Sequence, residues 1–531
     1  MGIPIIDLFA GPGGLGEGFT SLLNSDGNRA FKIGISVEKD DFAHQTLTLR
    51  SFVRQFPPFE LPAEYYQFMR GEIKLKELYS LFPGEHSHAE QEAQKLTLGK
   101  VPVDQLDEKI SNALNGAENW VLIGGPPCQA YSIVGRSRRG GINPEDERVY
   151  LYREYYRILA VHNPPVFVME NVKGILSSKV NDSLIFQQIL SDLRDPVNAY
   201  SELQGKIDDD LICPGYNIYS LTKKPVSTDI FGNPEYDIRD FIIKAEEYGI
   251  PQARHRVILL GIRKDLNISK PSVLTKKKEV NVKDVISGLP EIRSGISKGP
   301  DLNNAWKKVL KESLHHPFFN SIKDIEIREE IINKVNNLIL CEFGAGKHFI
   351  KSQTSINYKA EWYLDKNVGG ACNHESRSHI VMDLYRYLFV SCFATVHGRS
   401  PKLFDFPDSL LPKHKNVYLG VSGNKFGDRF CVQLYDKPSK TITSHISKDG
   451  HYYIHPDSRQ CRSFTVREAA RIQTFPDNYY FCGSRTSQFH QVGNAVPPLL
   501  AYQIAEVVKD VLDKVQENTL FTNTKEEPLY L

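Results

Sequence analysis

Apolar residues in this chain fall into short unbroken runs, each ended by glycine, proline or an acidic residue. Ile3 to Phe9 is one such run, after which Gly11-Pro-Gly-Gly-Leu-Gly16 turns into a helix reaching about Leu23. Phe31 to Val37 closes on Glu38, Trp120 to Ile123 on two glycines and two prolines, and Val166 to Met169 on Glu170. Arg256 to Ile262 forms a further run. Short apolar runs bounded by breakers read as fully buried strands. Helical stretches lie between them, for example Val149 to Val161. This alternation predicts an α/β fold with a parallel, Rossmann-like doubly wound sheet.

Two insertions interrupt the pattern. Residues 50–119 carry Pro57-Pro58, a charged helical stretch near 72–80 and a His- and Glu-rich segment, and residues 195–240 are irregular. Beyond residue 263 the alternation fades and lysines gather at 264, 270 and 276–278. These shifts predict a catalytic, cofactor-binding domain over residues 1–265 and a smaller irregular domain over 266–485. Residues 486–516 then return to the first domain, and 517–531 form a tail. The return is read from a helix opening at Pro497-Pro498, with Leu500, Ile504, Val507 or Val508, and Val511 on one face that needs a sheet to cover it.

Composition narrows the class without naming it. With 531 residues the chain exceeds a single simple core, and 41% hydrophobic with 24% charged residues describe an ordinary soluble protein. No apolar run is long enough to cross a membrane, and the start lacks a basic-then-apolar signal, so a cytoplasmic location is expected. The eight cysteines contain no Cys-x-x-Cys pair, which argues against a zinc ribbon or disulfide framework. Cys372, His374 and His379 lack an evident fourth ligand, and no metal is expected. A net charge of +1 does not announce a nucleic-acid partner. Arg136, Arg138 and Arg139, however, sit among glycines at 135, 140 and 141. They read either as a solvated loop or as a basic flap closing on phosphates, and their place just after Cys128 favours the flap.

Candidate chemistry gathers at the strand ends. Gly11-x-Gly13-x-x-Gly16 with Glu38 closing the next strand has the spacing of a nucleotide site, and a dinucleotide oxidoreductase fits it nearly as well. Phe9 reads equally as an adenine-stacking ring or a core aromatic. Cys128 follows Gly-Gly-Pro-Pro at the carboxyl end of a strand, where open α/β sheets place their chemistry. A lone cysteine is ordinarily a small buried hydrophobe, but Glu170 ends a strand at the same edge. In Gln252-Ala-Arg254-His-Arg256, alternation points three polar side chains to one side, where an arginine can hold a carboxylate in place.

The ordered set Asp7-Leu-Phe-Ala-Gly-Pro-Gly-Gly14, Gly125-Pro-Pro-Cys-Gln129, Glu170-Asn-Val172, Gln252-x-Arg-x-Arg256, Arg467-Glu-Ala-Ala-Arg-Ile-Gln-Thr-Phe-Pro476 and Gln491-Val-Gly-Asn-Ala495 resembles the carbon-5 cytosine DNA methyltransferases. The blocks cover somewhat under half the chain, in the family's order, with a long variable stretch in the family's place. The resemblance implies S-adenosylmethionine as donor and S-adenosylhomocysteine as product. Phe9, Gly11, Pro12, Gly14 and Glu38 would line the cofactor pocket, and Asn494 and Ala495 would close it. It further implies Cys128 as the thiolate adding to cytosine carbon 6 and Glu170 as the group on ring nitrogen 3. Arg256 would contact the ring carbonyl and orient Glu170, and Arg254 would steady the cysteine loop or a phosphate. Gln129, Ser132, Arg136, Arg138 and Arg139 would contact double-stranded DNA, from which the target base is flipped out. Lys437 to Thr443, His455-Pro456 and Arg462 would organise the recognition fold. The acidic residue the family often carries at its third strand finds only Gly99-Lys100 and Asp104 nearby, and neither is assigned.

A monomeric prokaryotic or viral modification enzyme is expected, nucleoid-associated and serving a separate restriction endonuclease. Among rivals, an oxidoreductase leaves Pro-Pro-Cys and the paired arginines unexplained. A binding-only relative calls for a broken motif, and adenine methyltransferases lack the thiol. A transfer-RNA relative shares the catalytic blocks, but the long recognition stretch argues for duplex DNA.

Overall fold

A computed structural model describes residues 2–127, 147–180, 183–204, 211–266, 268–412, 417 and 427–523. One eight-stranded sheet lies at its centre, built from β1 (Ile3–Leu8), β2 (Phe31–Glu38), β3 (Ala93–Lys95), β4 (Val121–Gly124), β5 (Val166–Val172), β6 (Tyr216–Ser220), β7 (Ile242–Lys244) and β8 (His255–Arg263). The spatial order is β7-β8-β5-β4-β1-β2-β3, and β6 also pairs with β8. The strands from β5 to β3 are parallel to their neighbours. β8, however, runs antiparallel to β5, β6 and β7. The expectation of a wholly parallel sheet is therefore corrected at this edge. β7 and β8 are joined only by residues 245–254. That connection is too short for a crossover, so the chain has to run back on itself.

The insertions also resolve. Residues 50–119 are mostly helical and contribute β3, a strand of three residues. Residues 195–240, read as irregular, contain β6, whose Tyr216 is fully buried against Phe167 with ring centroids 5.1 Å apart. Neither strand forms an unbroken apolar run.

The helices used below are α1 (Gly14–Thr20), α2 (Asp41–Arg54), α3 (Pro83–Glu92), α4 (Val103–Leu114), α5 (Glu147–His162), α6 (Ile185–Arg194), α7 (Val381–His397), α8 (Val466–Ile472), α9 (Arg485–Asn494) and α10 (Pro498–Asn523). Alternation along β1 sends Ile6 and Leu8 to one face of the sheet, into a core with Ile110 of α4, Leu159 of α5 and Ile189 of α6. Ile5 points to the other face, with Phe19 of α1 and Leu500, Ile504 and Val508 of α10. The late helix thus covers the sheet that the first residues of the chain begin.

A third core is centred on α7, which is apolar nearly all round and packs Leu388 and Phe389 among Trp306, Ile331, Phe430 and Ile454. A further apolar seam brings Val282 and Ile286 together with Ile442, Phe475, Phe489 and Val492. Part of the first insertion braces this seam from outside, where Tyr65, Met69 and Leu78 pack with Val368, Cys372 and Cys482.

The return of the chain depends on one close approach. A Cβ on Gly18 of α1 would stand 2.4 Å from both the Ala501 Cβ and the Pro498 carbonyl oxygen of α10. Gly18→Ala is expected to push the two helices apart and cost about 1–3 kcal/mol. Urea unfolding checks this, and an unchanged midpoint would show that the contact is not rigid.

Candidate active site

One side of the site is shaped by how β1 ends. Phe9, Gly11 and Gly13 all take positive φ, at 58°, 58° and 91°, so the chain doubles back tightly before α1 begins at Gly14. Glu38 at the end of β2 holds this turn. Its carboxylate accepts the N–H of Gly11 at 2.8 Å, and those of Lys39 at 2.7 Å and Asp40 at 2.8 Å. Gly14 must be glycine, because a Cβ there would lie 2.3 Å from the carbonyl oxygen of Val496.

The turn opens onto a cavity of about 760 Å³. Phe9, Gly11, Pro12, Gly14 and Glu38 line one side, and Asn494 and Ala495 line it from the returning chain. The structure therefore brings together all seven residues expected at a cofactor pocket. Sequence reasoning missed others on the same wall, among them Phe42 of α2, Leu98 beyond β3, His490 of α9 and Asp7 of β1. Asp7 had a legible signal, a carboxylate inside an otherwise apolar strand. Leu98 had none, because β3 is too short to read.

The reaction edge adjoins this cavity. Gly124 and Gly125 end β4 where side chains have no room: a Cβ would meet Leu8 O at 1.9 Å and Glu170 O at 2.0 Å. Buried Asn171 donates to the Pro126 carbonyl at 3.0 Å and so ties the Pro-Pro turn to β5. Pro127 lines the cavity, as does Glu170. Cys128, Gln129, Ser132, Arg136, Arg138 and Arg139 lie outside the described residues.

Glu170 owes its setting to the antiparallel strand. The register pairs Ile258 with Glu170 and Arg256 with Val172, so the start of β8 lies at the carboxyl end of β5. Arg256 Nε stands 2.8 Å from Glu170 Oε1, with the two side chains 15% and 20% exposed. Its Nη1 also donates to the His255 carbonyl at 3.0 Å. A carboxylate held this way at a cavity wall has a defined direction and can hydrogen-bond one edge of a planar ligand.

Arg254 is placed differently from the expectation that it steadies a loop or a phosphate. It is 1% exposed, and its guanidinium donates to the Ile442 carbonyl at 2.7 Å and to the Gly493 carbonyl at 3.3 Å. Burial, and then the neighbouring Arg256, push its pKa below the usual arginine range. Gln252 is also fully buried. It donates to the Ile472 carbonyl at 3.1 Å and to Gln473, and accepts the Ile442 N–H at 3.1 Å. Gln473 passes the link on to the Ala495 carbonyl. These residues form a clasp that fastens the approach to β8 to α8, α9 and the segment around Ile442. Gly493 fits because a Cβ would lie 2.3 Å from the Thr443 carbonyl carbon.

The second large motif is structural in the same sense. Arg467 donates to the carbonyls of Cys372, Pro476 and Tyr479, Arg471 forks Asp477, and Arg462 forks Glu468, all of them buried. His374, considered above as a metal ligand, uses one ring nitrogen on Thr465 at 2.9 Å and the other on the Pro290 carbonyl at 2.8 Å.

Comparison with known proteins shows what the chain is similar to. The profile of the C-5 cytosine-specific DNA methylase family matches residues 94–198 and 224–510. The chain is 34% identical, over 96% of its own length and 99% of the relative's, to the type II methyltransferase M.Bpa9945I of Bacillus paralicheniformis. It is 25% identical to the type II methyltransferase M.DdeI of Desulfomicrobium norvegicum, over 94% of this chain and 87% of that one. It is 27% identical to the DNA (cytosine-5-)-methyltransferase M.ApeKI of Aeropyrum pernix, over 80% and 87% respectively.

The clasp makes a direct prediction. Arg254→Met leaves the Ile442 and Gly493 carbonyls buried without this donor and is expected to cost about 2–4 kcal/mol of stability. Thermal unfolding monitored by circular dichroism checks it, and a melting temperature equal to that of the parent would refute the clasp.

Proposed function

We propose a mechanism on one premise: the chain belongs to the C-5 cytosine-specific DNA methylase family, and it is an enzyme that methylates carbon 5 of cytosine in DNA. The family match also sets the transfer-RNA reading aside. The single observation that carries the residue assignments is the meeting of Glu170, the end of the Gly-Gly-Pro-Pro turn and the seven expected cofactor residues around one cavity.

The cavity suits S-adenosylmethionine. Its volume falls within the common range of small-molecule sites. Phe9, Phe42 and Leu98 offer an apolar surface for a purine, and Glu38 is a fixed carboxylate acceptor for ribose hydroxyls. When bound, this cofactor supplies the electrophilic methyl group.

The chemistry of the substrate then assigns the remaining roles. Carbon 5 of cytosine is too electron-poor to take a methyl cation equivalent unaided. Cys128, which directly follows Pro127 at the cavity wall, adds as a thiolate to carbon 6, and the ring becomes enamine-like at carbon 5. Glu170 protonates or hydrogen-bonds ring nitrogen 3, so negative charge does not accumulate on the ring. Arg256 holds Glu170 in the required direction and contacts the ring carbonyl. Arg254 acts as a positioning residue, keeping β8 and the end of α9 together. Loss of the carbon-5 proton to solvent finally expels the Cys128 sulfur as thiolate. Return to Glu170 of any proton it lent to nitrogen 3 restores the free enzyme.

The target carbon is inaccessible in a stacked duplex, so the base is flipped out at a cost of a few kcal/mol. Gln129, Ser132, Arg136, Arg138 and Arg139 are the proposed contacts that offset this cost beside the thiol. The domain centred on α7 supplies the sequence-reading surface through the major groove. We further infer that the enzyme works as a monomer in a bacterial cytoplasm, as the modifying half of a restriction–modification pair. Relatives named as type II methyltransferases support that reading.

Cys128→Ala is expected to abolish methyl transfer while S-adenosylmethionine binding persists. Glu170→Gln is expected to lower the rate by about 10²–10⁴-fold. A duplex carrying 5-fluorocytosine at the target site should become covalently fixed to Cys128 in the presence of the donor, as read by denaturing electrophoresis. Methylation by the alanine variant at the parent rate would end the proposal.

A further inference from the structure

Asp7 lies within the apolar run of β1, is 1% exposed and belongs to the wall of the cofactor cavity. Its carboxyl sits beneath α1, where a Cβ on Gly16 would come within 3.2 Å of Oδ2. Among the described residues neither carboxyl oxygen has a hydrogen-bond partner. This is out of keeping with the rest of the protein. Glu17, Glu468 and Asp477 are as deeply buried, and each is forked by an arginine, Arg50, Arg462 and Arg471 respectively. A buried ionised carboxylate left without donors is unfavourable, so an unmatched one beside a ligand cavity points to a partner that arrives with the ligand.

The charges facing Asp7 do not relieve it. Arg54 of α2 attracts it, but gives its Nη2 to Glu92 of α3 at 2.5 Å. Glu38 of β2 and Glu92 itself add like charge. Burial above all, and then these two carboxylates against the pull of Arg54, push Asp7 up to about 8. The acid therefore carries its proton at neutral pH.

We propose that Asp7 is a proton-exchanging residue of the cofactor pocket, neutral when the pocket is empty and ionised when a cationic ligand fills it. The inference rests on the assignment of this cavity to S-adenosylmethionine, whose sulfonium and ammonium are the cationic groups concerned. The balance is simple: one proton leaves an Asp7 carboxyl oxygen for solvent, and no other bond forms or breaks. The sign follows from linkage. An acid raised in the folded protein favours folding below its ordinary pKa, and this contribution is lost as pH rises toward about 8. Donor affinity moves the other way, rising with pH until Asp7 is ionised without help.

Calorimetric titration of the full-length protein with S-adenosylmethionine at pH 7, in buffers of different ionisation enthalpy, counts the protons released. About one proton per donor bound is expected for the parent, since an acid titrating near 8 is almost fully protonated at pH 7, and close to none for Asp7→Asn. The infrared carbonyl band of a protonated carboxylic acid should disappear when donor is added to the parent, and should be missing from the variant. Before ligand is added, Asp7→Asn should melt higher than the parent at pH 8, which also shows that it folds. No proton release by the parent, or equal release by both proteins, overturns the proposal. If the variant does not fold, the parent's buffer series and infrared band still decide. A parent that gives no binding signal at all refutes the cofactor assignment instead, which is a separate result.

Discussion

The antiparallel pairing of β8 against β5 is the constraint on which the site depends. In a parallel sheet the carboxyl ends of all strands meet at one edge and the amino ends at the other. A residue at the start of a strand is then remote from the chemistry. Because β8 runs back, its first residues lie beside the last residues of β5, and Arg256 reaches Glu170 at 2.8 Å. The short connection from β7 makes this direction unavoidable. A carboxylate from one strand and a guanidinium from the next are thereby fixed on rigid elements rather than on loops.

The second constraint is the handling of buried charge. Arg254, Arg462, Arg467 and Arg471 are almost fully enclosed, and an isolated guanidinium in such surroundings would be strongly unfavourable. Each is met by carbonyl oxygens or a forked carboxylate. Arg462 and Arg471 fork carboxylates six residues away. Each of the four arginines also takes a carbonyl from a distant part of the chain, Ile442 for Arg254, Cys372 for Arg467, Ile292 for Arg462 and Val285 for Arg471. Satisfying the charge therefore requires the parts to be assembled. Arg254 and Gln252 do this between the sheet and the returning segment, where glycines at 14, 18 and 493 let backbones touch. The cavity lined by Gly14 and Ala495 lies on this junction, where a Cβ on Gly14 would come within 3.2 Å of the Ala495 Cβ. Among the buried carboxylates of the described residues Asp7 is the exception, and it sits at that cavity.

Legibility followed signal length. β1, β2, β4 and β5 were readable because each combines an apolar run with a sharp breaker, β8 because its apolar run is long, and α10 because its apolar face repeats over several turns. β3 and β6 were not, since Ala-Gln-Lys and Tyr-Asn-Ile-Tyr-Ser form no unbroken apolar run. The residues expected at a cofactor pocket were named from motif order, and the structure collects them around one cavity. Arg254 was assigned to the right segment but to another task, because spacing alone does not say whether a strand-entrance arginine faces a cavity or a carbonyl. Phe42 and His490 escaped because their approach to the pocket is made by helix packing.

What the sequence determined by itself was the class of chemistry. A thiol after Gly-Gly-Pro-Pro, a carboxylate at a neighbouring strand end and a glycine turn closed by Glu38 are local patterns whose meaning survives without coordinates. Tertiary structure alone decided the direction of β8, the partners of each buried charge and the isolation of Asp7. Those properties depend on residues far apart in the chain being brought within a few ångströms, and no local pattern of side chains encodes which distant backbone atom a buried group will meet.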